Sequence, residues 1–208
     1  MLNLRADPRP TAPASPAAPE QDGVIATLVS AFEADAAVRT LYVERDAYLA
    51  HFPGFLLAFG GRAFDHGTVD TTPEGAALWF PPGVEPDGEA ILAHMVATIP
   101  AARLDALARG MEIQAGLHPH APHWYLPWIG VRPEAQGRGL GGALLRRGLE
   151  RADRDGLPAY IEATSWRNAA LYVRHGFEVT GTVLVPGYPE IIAMWRPAGG
   201  RGPRAAEG

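Results

Sequence analysis

The stretch Ile129-Gly130-Val131-Arg132-Pro133-Glu134-Ala135-Gln136-Gly137-Arg138-Gly139-Leu140-Gly141-Gly142 decides how this chain is read. A short apolar run ends at Val131, and Pro133 is the corner of a turn. Four glycines then fall within six positions, from Gly137 to Gly142. A helical pattern starts at once, with Leu140, Leu144, Leu145, Leu149 and Ala152 on one face. Gly156 and Pro158 stop it. The order is strand, glycine-rich turn, helix.

The first turn of a helix carries unpaired backbone N–H groups and the positive end of the macrodipole. Glycine lets a phosphate reach those donors without meeting a side chain, so the unit is suited to a pyrophosphate. Arg138 adds a cation beside it. A P-loop is excluded because it needs lysine, and all eighteen basic residues here are arginine. A dinucleotide fingerprint fits loosely from Gly137 to Gly142, with Glu162 as the acidic ribose partner. It lies past the middle of the chain and leaves little sequence for a second mononucleotide half.

What remains is Q-x-x-G-x-G at Gln136, Gly139 and Gly141. With the preceding V-R-P-E and the following A-L-L it closely resembles the acetyl-CoA signature of the GNAT N-acetyltransferases. Downstream, Glu162-Ala163-Thr164-Ser165-Trp166-Arg167-Asn168 leads to Tyr172 and then Gly176-Phe177. This is similar to the family's second signature, an Asn four residues before a Tyr and then G-F. The resemblance covers residues 124–177 strongly and residues 75–197 in outline. Within the family, residues 123–142 and the E-A-T-S run look most like puromycin N-acetyltransferase and its actinobacterial relatives.

The resemblance implies a mixed α/β (α+β) GNAT fold, with a mostly antiparallel central sheet, a splayed strand pair and flanking helices. It implies acetyl-CoA as co-substrate, held by Ile129, Gly130, Val131, Gln136, Gly137, Arg138, Gly139, Leu140, Gly141, Gly142, Asn168 and Tyr172. It also implies direct attack of an amine on the thioester, with Asn168 on the pantetheine arm and Tyr172 protonating the leaving thiolate. Four residues apart, Asn168 and Tyr172 project from one face of one helix. The base is less clearly marked: Glu162, late in its strand, is the candidate for taking the amine proton. The family places its base variably.

Composition narrows the function classes. An apolar share of 47% in 208 residues supports one real core. A net charge of −5 argues against nucleic acid as the main partner. The absence of cysteine excludes disulfides, thiolate metal sites and a cysteine acyl intermediate. No apolar run approaches the ~20 residues of a membrane span, and no signal-peptide core is seen, so a cytoplasmic protein is expected. Monomer and homodimer are both open. The rivals are a non-catalytic acyl-CoA-binding module, a protein or peptide N-acetyltransferase and a dinucleotide-binding oxidoreductase. A small-molecule amine is the expected acceptor.

Along the chain, residues 1–20 read as a disordered Pro/Ala-rich leader, 21–197 as the catalytic domain and 198–208 as a flexible tail. Residues 2–4 of the leader could add a short strand. Asp22 is expected to cap a first helix. A second helix starts near Glu44 and should kink or divide at Pro53. Residues 67–72 and 76–80 read as strands. Asp70, Glu74, Glu85, Asp87 and Glu89 read as a solvated acidic loop, or as a rim attracting a cationic amine. Helical pieces flank Pro100, and His118, His120 and His123 follow in a Pro-rich loop, where a metal site is disfavoured. Pro127 inside the central strand predicts a bulge or splay. Trp79, Phe80, Trp124, Tyr125 and Trp128 are candidates for an aromatic acceptor pocket, although alternate strand residues must point away from it.

Overall fold

The chain forms six strands in one sheet, and helices pack on both of its faces. The structure, a computed structural model, describes residues 20–200. The leader and most of the tail expected from the sequence, including the short strand at residues 2–4, lie outside the described residues.

The elements are α1 (Gln21–Phe32), α2 (Ala36–Leu41), α3 (Arg45–Gly60), α4 (Arg62–Asp65), β1 (Val69–Thr72), β2 (Gly75–Phe80), α5 (Gly88–Thr98), α6 (Ala101–Leu117), β3 (Trp124–Val131), α7 (Leu140–Asp155), β4 (Ala159–Ala163), α8 (Trp166–Val173), β5 (Glu178–Val183) and β6 (Ile191–Arg196). The sheet runs β1-β2-β3-β4-β6-β5. Every neighbouring pair is antiparallel except β3 with β4. This is the mixed, mostly antiparallel architecture expected of the fold.

The β3–β4 pair sets the site. Its register runs only from Trp124↔Ala159 to Leu126↔Ile161. Both strands continue beyond that point without pairing each other. Pro127 follows Leu126 directly and has no N–H to give a ladder. On its other edge β3 stays paired with β2 to Val131, but through a bulge with one extra residue on β3, since Leu78↔Trp128 is followed by Phe80↔Tyr125. An extra residue inverts the alternation of side chains beyond it. Tyr125 and Trp128 therefore face the same side of the sheet, with Phe52, Phe55 and Leu78, although they are three apart. Trp79, Trp124 and Leu126 pack on the opposite side with Leu144, Leu145 and Leu149 of α7. Each of those buried leucines contributes about 2 kcal/mol of apolar burial.

Three sequence expectations need correction, and one element was not anticipated. Asp22 lies in the first turn of α1; Glu20 holds the N-cap position without a side-chain bond. Pro53 does not divide its helix, which is continuous from Arg45 to Gly60. Its burial of Tyr48, Phe52, Phe55 and Leu56 outweighs the one backbone bond that proline removes. The helix α2 was not anticipated; the Asp35 carboxylate caps it by accepting from the Ala37 and Val38 amides. Finally, Trp79, Phe80 and Trp124 do not line the large cavity described below, whereas Tyr125 and Trp128 do.

Candidate active site

Two cavities meet where β3 and β4 part. The larger, about 780 Å³, lies between the sheet and helices α2, α3, α5 and α6. The smaller, about 40 Å³, lies in the gap between the strands, walled by Leu126, Ile129, Ile161, Asn168 and Tyr172. Pro127, Trp128, Glu162 and Thr164 line both. The junction is thus made by the bulged part of β3 and the unpaired end of β4.

Glu162 is held there by three donors. Its Oε2 accepts from Gln114 Nε2 at 2.8 Å and from the Tyr125 hydroxyl at 2.7 Å, and its Oε1 accepts from the Tyr160 hydroxyl at 3.1 Å. Burial pushes its pKa above the usual carboxylate range, and these three hydrogen bonds pull the other way without cancelling the rise. Among the described residues no arginine is its partner. The Tyr125 and Tyr160 phenols are themselves pushed up, by burial and then by the Glu162 charge, so they remain donors.

Gln114 was not foreseen from the sequence. It sits on α6, and its Oε1 accepts from the Tyr188 hydroxyl. Tyr188 belongs to the β5–β6 connection and packs on Gly110 so closely that a Cβ there would come within 2.0 Å of the ring. A glycine in a helix costs about 1 kcal/mol, and here it admits the ring that closes one wall. No local motif marks Gln114 or Tyr188, because the contacts join segments some 74 residues apart.

Asn168 and Tyr172 share one face of α8, as their spacing predicted. Ser165 caps that helix by accepting from the Asn168 amide. Asn168 Nδ2 donates to Thr164 Oγ1 at 3.2 Å, and that hydroxyl donates to Asp35 at 2.8 Å. Tyr172 is buried against Phe177, and burial, followed by the Asp35 charge, raises its pKa above the usual phenol value. Of the sequence candidates, Glu162, Asn168, Tyr172 and Ile129 gather around the small cavity.

Gly130, Val131 and residues 136–142 lie outside that wall and form the foot of the strand and the start of α7. Gly137 and Gly139 have φ of +76° and +80°, and a Cβ at either would meet nothing within 4 Å. The turn is therefore both glycine-dependent and open. Gly139 is the N-cap of α7, so Leu140, Gly141 and Gly142 supply its first turn. Gln136 Nε2 bonds the Val131 carbonyl at 3.1 Å and ties the turn to the strand end. Arg138 reaches back to the Glu134 carbonyl at 3.1 Å. Gly130 has a packing duty besides: a Cβ there would come within 2.7 Å of the Ala31 Cβ on α1.

The acidic run is dispersed. Asp70 pairs with Arg151, and Asp87 caps α5 and pairs with Arg62. Only Glu85 of that run reaches the large cavity, at its rim. His118, His120 and His123 also line it. Among the described residues no group of three or more potential metal ligands converges. Burial, then the neighbouring His123 and His120, pushes His118 down to about 4. Glu85 lies 3.4 Å away, but its side chain is 58% exposed, so solvent screens its pull and burial wins. Among the described residues, no helix is long and apolar enough to cross a membrane.

Comparison with known proteins agrees with this geometry. Residues 88–179 match the family model described as "Acetyltransferase (GNAT) domain". A mycothiol acetyltransferase of Streptomyces bingchenggensis is 43% identical over 60 residues, which cover 27% of this chain and 20% of that protein. The match thus spans about a fifth of that relative's length. A Corynebacterium glutamicum protein described as histone acetyltransferase HPA2 and related acetyltransferase is 28% identical, with a TM-score of 0.57 over 89% of this chain and 93% of its own. The Drosophila melanogaster polyamine N-acetyltransferase shares the fold, at 18% identity and a TM-score of 0.53 over 84% of this chain and 93% of its own. A strand pair parting at Leu126 and a glycine turn opening α7 thus accompany a likeness to the GNAT acetyltransferase domain over residues 88–179.

Proposed function

We propose that the chain transfers an acetyl group from acetyl-CoA to the primary amine of a small molecule, by direct attack while both are bound. The observation that carries this reading is the position of Glu162, which lines both cavities at the strand junction. The residues present fit the co-substrate. Beyond Leu126, β3 has no β4 partner, which leaves backbone groups on that edge for an extended amide-bearing arm. The open turn at Gly137 and Gly139 leads into the free N–H groups of α7, which suit a pyrophosphate. Acetyl-CoA supplies an activated acetyl thioester when bound.

The chain's own groups do the proton work. Glu162, more basic than an ordinary carboxylate, takes the amine proton and frees the nitrogen lone pair to form the new N–C bond. Tyr172 is protonated at neutral pH; burial weakens it as an acid but also makes a thiolate departing in the same gap more basic, so it gives its proton to the sulfur as the C–S bond breaks. Asn168 keeps its Oδ1 without a protein donor among the described residues, so it can accept from the arm. The E-A-T-S likeness supports the same region, since Glu162 and Thr164 of that run both sit at the junction.

Thiol release from acetyl-CoA, measured over a panel of primary amines that includes puromycin, tests the reading. The chain has no cysteine to add background. Amine-dependent release with an equal yield of amide is the expected result. Acetyl-CoA binding without release for any amine would contradict it in favour of a binding module.

A further inference from the structure

The large cavity also says what kind of amine it takes. We infer that the acceptor carries a single amine on a largely apolar body, with no carboxylate or phosphate and no second ammonium. This rests on reading that cavity as the acceptor site.

Charge and desolvation set this limit. No arginine is found among the described residues lining the cavity, and the chain has no lysine. Of its histidines, His118 is held neutral at pH 7 by burial. An acceptor carboxylate or phosphate would thus enter without a fixed cation to meet it, and burying an unpaired charge is costly. The opposite sign is nearly as constrained. Only two carboxylates are found among the described lining residues: Glu162 at the junction and Glu85 at the rim. Glu162 is needed by the reacting nitrogen, and Glu85 is largely solvated and already faces His118. A second ammonium held between them would lie against Phe55, Phe59, Ile91, Met95, Met111 and Trp128. These are apolar or aromatic walls, and their volume suits a drug-sized molecule rather than a small polyol. The polar groups that do converge, Glu162 with Gln114 and Tyr125, lie at the end where the amine reacts.

The test uses matched acceptors on the wild-type protein. Tryptamine and 2-phenylethylamine are compared with L-tryptophan and L-phenylalanine, which add only a carboxylate, and with agmatine and spermidine, which add positive charge. Binding is measured by calorimetry with CoA present, and kcat/KM by thiol release. The two apolar monoamines should exceed all four charged compounds by at least about 100-fold in kcat/KM, with the same ranking in affinity. Equal or better use of an amino acid or a polyamine overturns the inference. So does failure of all six to bind while acetyl-CoA binds. If tryptamine binds with the expected ranking but no thiol is released, the cavity assignment stands and the acetyl-transfer reading falls.

Discussion

The glycine cradle at the start of α7 and the large cavity lie along the same strand, yet they are built in different ways. The cradle is made of backbone: two glycines at positive φ, the free amides of one helical turn and a strand edge left without a partner. Its parts are contiguous from Leu126 to Gly142. The cavity is made of side chains, and its parts come from α2, α3, α5, α6, β3, β4 and the β5–β6 connection. A backbone site tolerates little variation because only glycine fits its geometry. A side-chain site can change its occupant by changing a wall. On the function proposed above, the first would fix the shared co-substrate and the second would set which amine is used.

If that division is right, the largest single effect comes from the cradle. Gly139→Asp forces a side chain into φ near +80° and puts a negative charge where a pyrophosphate would lie. It should abolish acetyl-CoA binding measured by calorimetry while leaving amine binding intact. Unchanged affinity in a folded variant would break the comparison at its stronger end. Next is Tyr172→Phe, which removes one oxygen from a buried ring and keeps its packing on Phe177. Turnover should fall by roughly 10²–10⁴-fold with acetyl-CoA affinity little changed. A folded variant with normal turnover would make Tyr172 only a packed aromatic.

On the cavity side, Gln114→Leu removes one of the hydrogen bonds that lowers the Glu162 pKa. The acid limb of kcat/KM should move to higher pH, with a loss of about 10-fold near neutrality that is recovered in alkali. A loss of equal size at every pH would assign Gln114 a structural role alone. The smallest effect is on stability. The folded pKa of His118 is depressed to about 4, below the unfolded value of about 6.5. The stability tied to its neutral form is present above pH 6.5 and is lost as pH falls towards 4, because the unfolded chain then binds more protons. His118→Phe should show a shallower fall in Tm across that window, and an identical fall would contradict the burial of a neutral imidazole.

The same division explains what could be read from the sequence. The strand, turn and helix around residues 129–152 were legible because helical periodicity and glycine spacing are local. So was the splay, since a proline inside a central strand conflicts with a continuous ladder. Of the aromatic candidates only Tyr125 and Trp128 line the cavity; both do so because of one bulge residue, and a period-2 reading carries no information about that. Gln114 and Tyr188 gave no signal, since each acts through a partner distant in sequence. Asp22 was mistaken for a cap because an acidic residue suits both the N-cap and the first turn.

On the proposed function one carboxylate at the strand junction, Glu162, serves the amine while the cradle holds the co-substrate. The pH–rate profile of Glu162→Gln tests it most directly. With the base gone, kcat/KM at neutral pH should drop by roughly 10²–10⁴-fold. The optimum should move to higher pH, where the amine is already free, and acetyl-CoA affinity should be retained. A folded Glu162→Gln protein with the wild-type rate and the wild-type profile would contradict the account.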